Sequence, residues 1–248
     1  MQGINTPAIA ASMQRHERVA FQLSGGRDSV AALYAMRDWW GLMTVYHLDT
    51  GDQFPEVASV IGAISRDVAV HIVRSSAQAF RDTYGHPADV VPVDAEPLGR
   101  MVSGGSTALV SRYTCCANVI MAPMHQRMRE DGITLIVRGQ RASDWHQAPA
   151  PQGVDIDGFE LLFPIHDWRS QDVDAYIAHE GLPVAPFYAH GMNTTPDCMG
   201  CTAWLGDGRL RYMDARYPAE AHALRQKIRG IRDAVAQQLN QFDDEVYP

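Results

Sequence analysis

Six consecutive residues have the types and spacing of a phosphate-binding loop: Ser24, Gly25, Gly26, Arg27, Asp28 and Ser29. They follow a short apolar run and precede apolar residues at helical spacing, so we expect a strand, a loop and a helix. The two glycines let the backbone approach an anion closely, and the first amides of the helix supply donors. A simple turn with a capping serine is the alternative interpretation.

The side chains of this loop add to its chemistry. The hydroxyls of Ser24 and Ser29 are further hydrogen-bond donors, and Arg27 carries a charge that neutralises phosphate. Asp28 is suited either to orient the loop or to help hold a Mg²⁺ ion that bridges phosphates. Together these residues predict a site for a nucleotide and its Mg²⁺ ion.

The four cysteines of the chain form two tight pairs: Cys115, Cys116, Cys198 and Cys201. Four thiolates are the usual ligand set of a [4Fe–4S] cluster. Adjacent cysteines are an awkward pair for one tetrahedral Zn²⁺ ion, whereas a cluster offers each thiolate its own iron atom. We therefore predict a cluster. The alternatives are a structural zinc site, a redox disulfide between Cys198 and Cys201, and buried cysteines that share no ligand.

The elements that must position these residues follow from hydrophobic periodicity. Short apolar runs predict strands at 19–23, 43–48, 68–73, 133–137 and 159–163. Helices are predicted at 30–40, from about 55, at 115–129, at 171–179 with Ser170 as N-cap, and at 218–239. Strands that alternate with helices predict an α/β fold, a doubly wound, mostly parallel sheet. Between residues 75 and 111 the pattern is weak, and Ser103–Ser106 is predicted to be a loop.

Composition limits the classes of function. The net charge is -8 and the pI is about 5.6, which argues against a broad electrostatic grip on nucleic acid. No apolar run reaches the roughly 18 residues of a membrane helix, and residues 1–18 lack the apolar core of a secretory signal. We expect a cytoplasmic protein with no membrane partner. We divide it into an N-terminal segment (1–17), a nucleotide-binding domain that includes the cysteines (18–209) and a helical C-terminal extension (210–248).

The loop resembles the PP-loop signature Ser-Gly-Gly-Lys-Asp-Ser of the ATP pyrophosphatase and phosphoadenylylsulfate (PAPS) reductase superfamily, with Arg27 in the lysine position. The segment 48–56, Leu-Asp-Thr-Gly-Asp-Gln-Phe-Pro-Glu, resembles the Asp-Thr-Gly…Phe-Pro-Glu segment of sulfonucleotide reductases. Arg138-Gly-Gln-Arg141 is similar to the family's Gly-x-Arg segment, and the cysteines resemble the Cys-Cys…Cys-x-x-Cys motif of adenylylsulfate reductases. The resemblance covers residues 18 to 205.

This resemblance implies an adenine nucleotide alpha hydrolase-like, Rossmann-like fold and assigns further residues. Those near the nucleotide are Asp49, Thr50, Gly51 and Gly139. Arg138 and Arg141 would face the phosphates or sulfate, and with Arg27 and Asp28 they are the candidate catalytic residues.

The chain departs from the reductases because no cysteine follows Cys201, so the usual nucleophile is missing. The Gly-Gly form of the loop, followed by a basic residue, resembles the ATP-using members. We therefore expect an ATP pyrophosphatase-type enzyme with a [4Fe–4S] cluster, similar to that of DNA phosphorothioation systems. Partners to consider are a sulfur donor such as a cysteine desulfurase or thiol protein, a nucleic-acid acceptor and a second copy of the chain. A reductase that uses an external thiol and a non-catalytic nucleotide and cluster sensor are the alternatives.

Overall fold

The computed structural model describes residues 3–104, 108–144, 148 and 150–247. The strands, in chain order, are β1 (Val19–Gln22), β2 (Met43–Asp49), β3 (Val70–Arg74), β4 (His86–Ala88), β5 (Leu109–Ser111), β6 (Leu135–Arg138), β7 (Asp155–Ile156) and β8 (Phe159–Leu162).

The helices are α1 (Thr6–Gln14), α2 (Arg27–Ala35), α3 (Pro55–Ile64), α4 (Ala77–Tyr84), α5 (Pro97–Ser103), α6 (Arg112–Cys116), α7 (Ala122–Glu130), α8 (Ser170–Glu180), α9 (Arg209–Arg216) and α10 (Pro218–Val246). A π-helical turn, Ala117–Met121, joins α6 to α7.

The chain divides into two compact units. Unit 1 comprises Met1–Asp49, Phe54–Arg74 and Met124–Pro186, and unit 2 comprises Thr50–Gln53, Ser75–Pro123 and Phe187–Pro248. The phosphate loop belongs to unit 1 and all four cysteines belong to unit 2, so the two predicted sites are described one at a time.

Unit 1 is built on a sheet whose described strands follow the order β3-β2-β1-β6-β8-β7. All neighbours pair in parallel except β7, which pairs antiparallel with β8. The central strands β1 and β6 are buried except at their last residue, as expected for a parallel sheet with both faces covered. The predicted α/β class and mostly parallel sheet are confirmed.

Two predicted helices of unit 1 differ from the structure at their ends. The predicted helix 30–40 begins earlier, at Arg27, and ends at Ala35; a 3₁₀ segment, Arg37–Leu42, replaces its last turn. Ser170 is the first residue of α8 rather than its N-cap. The cap is Arg169, whose backbone N–H donates to the Asp172 carboxylate at 2.8 Å, because an acidic side chain in the first turn satisfies a free amide there.

Unit 2 is mainly helical and has a short parallel pair, β4 with β5, in the stretch where the sequence pattern is weak. The C-terminal helix α10 begins at Pro218 as predicted and continues to Val246, about two turns beyond the predicted end. Its residues Ile231 and Ala234 pack against the buried Ala88, Ala95 and Leu109. No helix in the described part of the chain is both long and apolar enough to span a membrane.

Candidate functional site

The phosphate loop turns sharply between β1 and α2. Gly25 has a φ of +81°, a left-handed conformation that favours glycine. A Cβ atom there would lie 2.9 Å from Cγ1 of Val57 on α3, so the close packing of the loop also demands glycine. The first amides of α2 have no acceptor one helical turn earlier, and the loop therefore presents donors suited to an anion.

Two serines fix the shape of this loop. The Ser24 hydroxyl donates to Oγ of Ser29 at 3.0 Å and accepts from the Gly26 amide at 3.3 Å. The Ser29 hydroxyl in turn donates to the Gly26 carbonyl at 2.9 Å and is buried. The serine hydroxyls thus hold the ligand-free loop together.

Arg141 links the segment after β6 to the phosphate loop. Its Nε lies 3.0 Å from Oδ1 of Asp28, and its Nη2 lies 3.1 Å from Oδ1 of Asp144. Its Nη1 donates to the Ser170 hydroxyl at 2.9 Å. The structure therefore brings together Arg141 and Asp28, two of the predicted catalytic residues.

Arg27 pairs with a residue that the sequence did not single out. Its Nη1 lies 2.7 Å from Oδ1 of Asp174 on α8. The Asp174 side chain is about half exposed, at 52%, which places this ion pair at the surface of unit 1. Such a pair contributes little to stability and is easily exchanged for another partner.

Opposing electrostatic effects act on the pKa of the Asp28 carboxyl group. Burial raises its pKa, the Arg141 guanidinium opposes that rise, and the neighbouring Asp144 carboxylate adds to it. A carboxylate that is costly to ionise gains from an additional cation. Asp28 therefore suits a Mg²⁺ ion or a shared proton.

Gly139 supports the loop from behind by close contact. A Cβ atom on it would lie 2.6 Å from the Asp28 carbonyl oxygen and 2.7 Å from Cα of Ser29. These are backbone atoms, which cannot move aside as a side chain can. The glycine is thus a packing requirement of the phosphate loop.

The remaining predicted site residues of unit 1, Asp49 and Arg138, are the last residues of their strands. Asp49 is the last residue of β2 and pairs in register with Arg74. Arg138 is the last residue of β6, opposite Gln22 of β1. Arg138 also lies near His125, whose pKa is lowered by burial and then by this positive charge.

The cysteines of unit 2 lie in one region. Cys115 and Cys116 end α6, just before the π-helical turn, a feature that often marks functional sites. Cys115 and Cys198 are buried in one apolar cluster, and Cys201 packs against it. All four residues are free thiols.

Burial dominates the chemistry of these thiols. It raises the pKa of Cys115 and of Cys198 to about 12, and it also raises the pKa of Cys116. Among the described residues, no group of three or more His, Cys, Asp or Glu side chains is placed to hold a metal ion. Binding of a metal group there would require the thiols to lose their protons.

Thr50, predicted near the nucleotide, contacts the second cysteine pair. Its hydroxyl donates to the Asp197 carbonyl at 2.8 Å, and Sγ of Cys198 lies 3.5 Å from its Oγ1. Its neighbour Gly51 has a φ of +71°. The buried Arg209 donates to the carbonyls of Cys198 and Ala203 at 3.2 and 3.0 Å.

Sequence reasoning did not select several residues that surround the two sites. In unit 1 they are Ser170 and Asp174, and in unit 2 they are Asp52, Arg81 and Arg209. Asp52 lies within the Asp-Thr-Gly segment and offered a signal; the others stand in no motif. The sequence Asp144-Trp145-His146 follows Arg141 and is a further candidate to line the site, with a polar loop as the alternative. Its last two residues lie outside the described residues, as do residues 105 and 106 of the predicted loop.

Residues 18–204 match the family model of the phosphoadenosine phosphosulfate reductase domain. The chain belongs to this family. The match includes the phosphate loop, the Asp-Thr-Gly segment and all four cysteines, and it confirms the family predicted from these motifs.

Curated relatives are adenosine 5'-phosphosulfate reductases. That of Rhizobium meliloti (strain 1021) is 25% identical over 164 residues, which are 65% of this chain and 57% of the relative. That of Rhizobium tropici is 27% identical over 166 residues, 65% of this chain and 83% of the relative. That of Allochromatium vinosum is 21% identical over 187 residues, 75% of this chain and 68% of the relative. The match thus spans less than two thirds of the length of the Rhizobium meliloti protein.

Among solved structures, the phosphoadenylyl-sulfate reductase of Candida auris, crystallised with phosphate, has the same fold. Its TM-score is 0.53 at 15% sequence identity, over 77% of this chain and 86% of the other. At this identity the likeness establishes a shared fold and no more.

Proposed function

We propose that this member of the PAPS reductase family binds Mg²⁺-ATP at the Ser24–Ser29 loop and cleaves it to AMP and pyrophosphate, which activates an acceptor for sulfur transfer. The arrangement of Arg27, Asp28 and Arg141 around a glycine turn at the start of α2 carries this proposal.

The charges around the loop favour a polyphosphate over a smaller anion. Both arginines are paired with carboxylates, Arg27 with Asp174 and Arg141 with Asp28. A triphosphate carries enough charge to compete for both guanidiniums, and its Mg²⁺ ion would compensate the released Asp28 carboxylate. Exchange of partners would thus couple nucleotide and metal binding.

The proposed reaction needs positioning rather than a covalent protein group. An acceptor nucleophile attacks the α-phosphorus, the bond to the β-phosphate oxygen breaks, and pyrophosphate leaves with its Mg²⁺ ion. Loop amides, Arg27, Arg141 and, in the same proposal, Arg138 would stabilise the developing negative charge. Asp49 and Gly139, which belong to the same unit as the loop, are proposed to shape the nucleotide site.

We also propose that the four thiols of unit 2 hold a [4Fe–4S] cluster. The donor set fits in kind: four free thiols, three of them in or against one buried cluster, and no disulfide among them. A cluster spreads its thiolates over separate iron atoms, which suits the adjacent Cys115 and Cys116 better than one zinc ion does. When bound, such a cluster would supply a redox-active or charged centre in unit 2.

The test uses anaerobically purified full-length protein. We expect Mg²⁺-ATP to raise the Tm and to yield AMP and pyrophosphate with a suitable acceptor. Arg27→Ala should weaken binding at least tenfold, and the exposed Arg66→Ala is the matched control. Binding of adenylylsulfate without any binding of ATP would contradict the proposal. Iron and acid-labile sulfide analysis tests the cluster, and stoichiometric zinc without sulfide would contradict it.

The names of the relatives favour a second candidate, reduction of adenylylsulfate with a thiol protein as the source of both electrons. This reaction would release sulfite and AMP, whereas ATP cleavage releases pyrophosphate. Sulfite assays with adenylylsulfate and a dithiol donor therefore separate the two candidates.

A further inference from the structure

A buried ion pair in unit 2 lies against the loop Cys198–Cys201. The Arg81 side chain on α4 is only 3% exposed, and its Nη2 lies 2.6 Å from Oδ2 of Asp52. Burial of a guanidinium is costly unless its partners are well placed. The packing of unit 2 does not by itself account for the cost of burying the Asp52–Arg81 pair.

Asp52 holds the backbone of this loop. Its carbonyl oxygen accepts the Met199 N–H at 2.5 Å, and its two carboxylate oxygens accept the Gly200 N–H at 3.2 and 3.4 Å. A Cβ atom at position 200 would lie 3.1 Å from Oδ2 of Asp52 and 3.3 Å from Nη1 of Arg81. The loop between the two cysteines thus packs directly on the ion pair, and a larger residue at position 200 would displace these two side chains.

Arg81 lies close to the thiols as well as to Asp52. Its helix α4 begins with Ala77, which is buried in the same cluster as Cys115 and Cys198. The Nε of Arg81 is buried and has no hydrogen-bond partner among the described residues. A buried guanidinium with a spare donor beside the loop that joins Cys198 and Cys201 is suited to negative charge on sulfur.

We propose that the Asp52–Arg81 pair is the positioning element of the thiol site: Asp52 holds the Cys198–Cys201 loop, and Arg81 compensates the negative charge of the thiolates and of the metal group they bind. The second part rests on the cluster proposed above. The first part concerns the protein without any metal.

The first experiment is hydrogen exchange on the metal-free protein. We expect protected amides at Met199 and Gly200, and at least tenfold faster exchange of Gly200 in Asp52→Asn. Arg81→Met should have the same effect, because it removes the partner that orients Asp52. The double variant Asp52→Asn with Arg81→Met leaves no unpaired buried charge. It is therefore the variant to measure if a single substitution prevents folding. Unchanged exchange in all three variants would overturn the positioning role.

The second experiment measures the reduction potential and iron retention of the reconstituted protein. Loss of the positive charge in Arg81→Met should shift the midpoint potential to a more negative value and weaken metal retention by about tenfold, typical of residues that orient metal ligands. Arg81→Lys should restore most of the potential, and Arg229→Met on α10 is the matched control. An unchanged potential and retention in Arg81→Met would overturn the charge-compensating role.

The two experiments separate this inference from the proposed function. If the wild-type protein binds no iron and sulfide, the cluster proposal and the charge-compensating role both fail, and hydrogen exchange still decides the positioning role. If the wild-type protein binds a cluster that the variants leave unchanged in potential and retention, only the inference fails.

Discussion

The phosphate loop differs from the thiol site, the region of Cys115, Cys116, Cys198 and Cys201, in how its residues are assembled and how far they are buried. The phosphate loop consists of six consecutive residues, and its charged groups, Arg27 and Asp28, are partly exposed and paired with Asp174 and Arg141. The thiol site assembles residues from distant parts of the sequence, with Cys115 and Cys198 buried and one ion pair to hold the connecting segment. A site for an exchangeable charged ligand keeps its charges near water, whereas a site for a resident metal group shields its donors.

The two sites also differ in whether their side chains must lose protons when a ligand binds. The phosphate loop offers amide and guanidinium donors, which bind an anion without losing a proton. In the thiol site, burial raises the pKa of Cys115 and of Cys198 to about 12, which favours the protonated form of these two thiols. Metal binding there must release protons, and its strength should therefore rise with pH.

The largest expected effect tests whether the two sites are independent. Cys198→Ala should abolish the bound iron and sulfide, because it removes one of four thiols. Protection of the protein by Mg²⁺-ATP against thermal unfolding should change less than twofold, since the phosphate loop belongs to the other unit. Met199→Leu, which keeps all four thiols, is the control. Loss of nucleotide binding in Cys198→Ala would show that the two sites are not independent.

Gly139→Ala should be the most damaging single change to the phosphate loop. The added methyl group would press on the backbone of Asp28 and Ser29, with an expected cost of about 1–3 kcal/mol in the free energy of unfolding. Nucleotide affinity should fall at least tenfold, as measured by calorimetry. Gly62→Ala on α3, where a Cβ atom meets nothing within 4 Å, is the control. Normal affinity in Gly139→Ala would show that the loop tolerates displacement.

Asp28→Asn tests the raised pKa of Asp28 through the pH dependence of the Tm. A raised pKa means that the stability from protonated Asp28 is present below the ordinary aspartate range and is lost as pH rises through the folded-state pKa. The variant escapes this loss, so its Tm without nucleotide should exceed that of the wild type at pH 7 by a few degrees and equal it at acidic pH. Arg141 keeps Asp144 and Ser170 as partners. A constant Tm difference across pH would contradict the assignment.

The smallest expected effect concerns the ion pair of Arg27. If Asp174 competes with phosphate for this arginine, Asp174→Asn should tighten nucleotide binding by up to about fivefold, the equivalent of a surface ion pair of at most roughly 1 kcal/mol. Titration of the variant with Mg²⁺-ATP measures this. Weaker binding in the variant would mean that Asp174 instead positions Arg27.

Local signals accounted for much of the fold. The strands that carry the sites begin and end within about two residues of their predicted bounds, because buried parallel strands are continuous apolar runs. The stretch from 75 to 111 gave no such signal, and it forms short elements, α4, β4, α5 and β5, whose packing within unit 2 rather than local pattern sustains them.

The sequence by itself determined the phosphate loop, the family and the identity of the four thiols, since the loop and each cysteine pair are short motifs whose chemistry depends on neighbouring residues. Only the tertiary structure decided that Asp174 pairs with Arg27, and that Thr50, Asp52 and Arg81 surround Cys198–Cys201. These contacts join residues that are distant in the chain. Their partners are selected by packing and by the cost of unpaired buried charge, and neither leaves a periodic or local trace in the sequence.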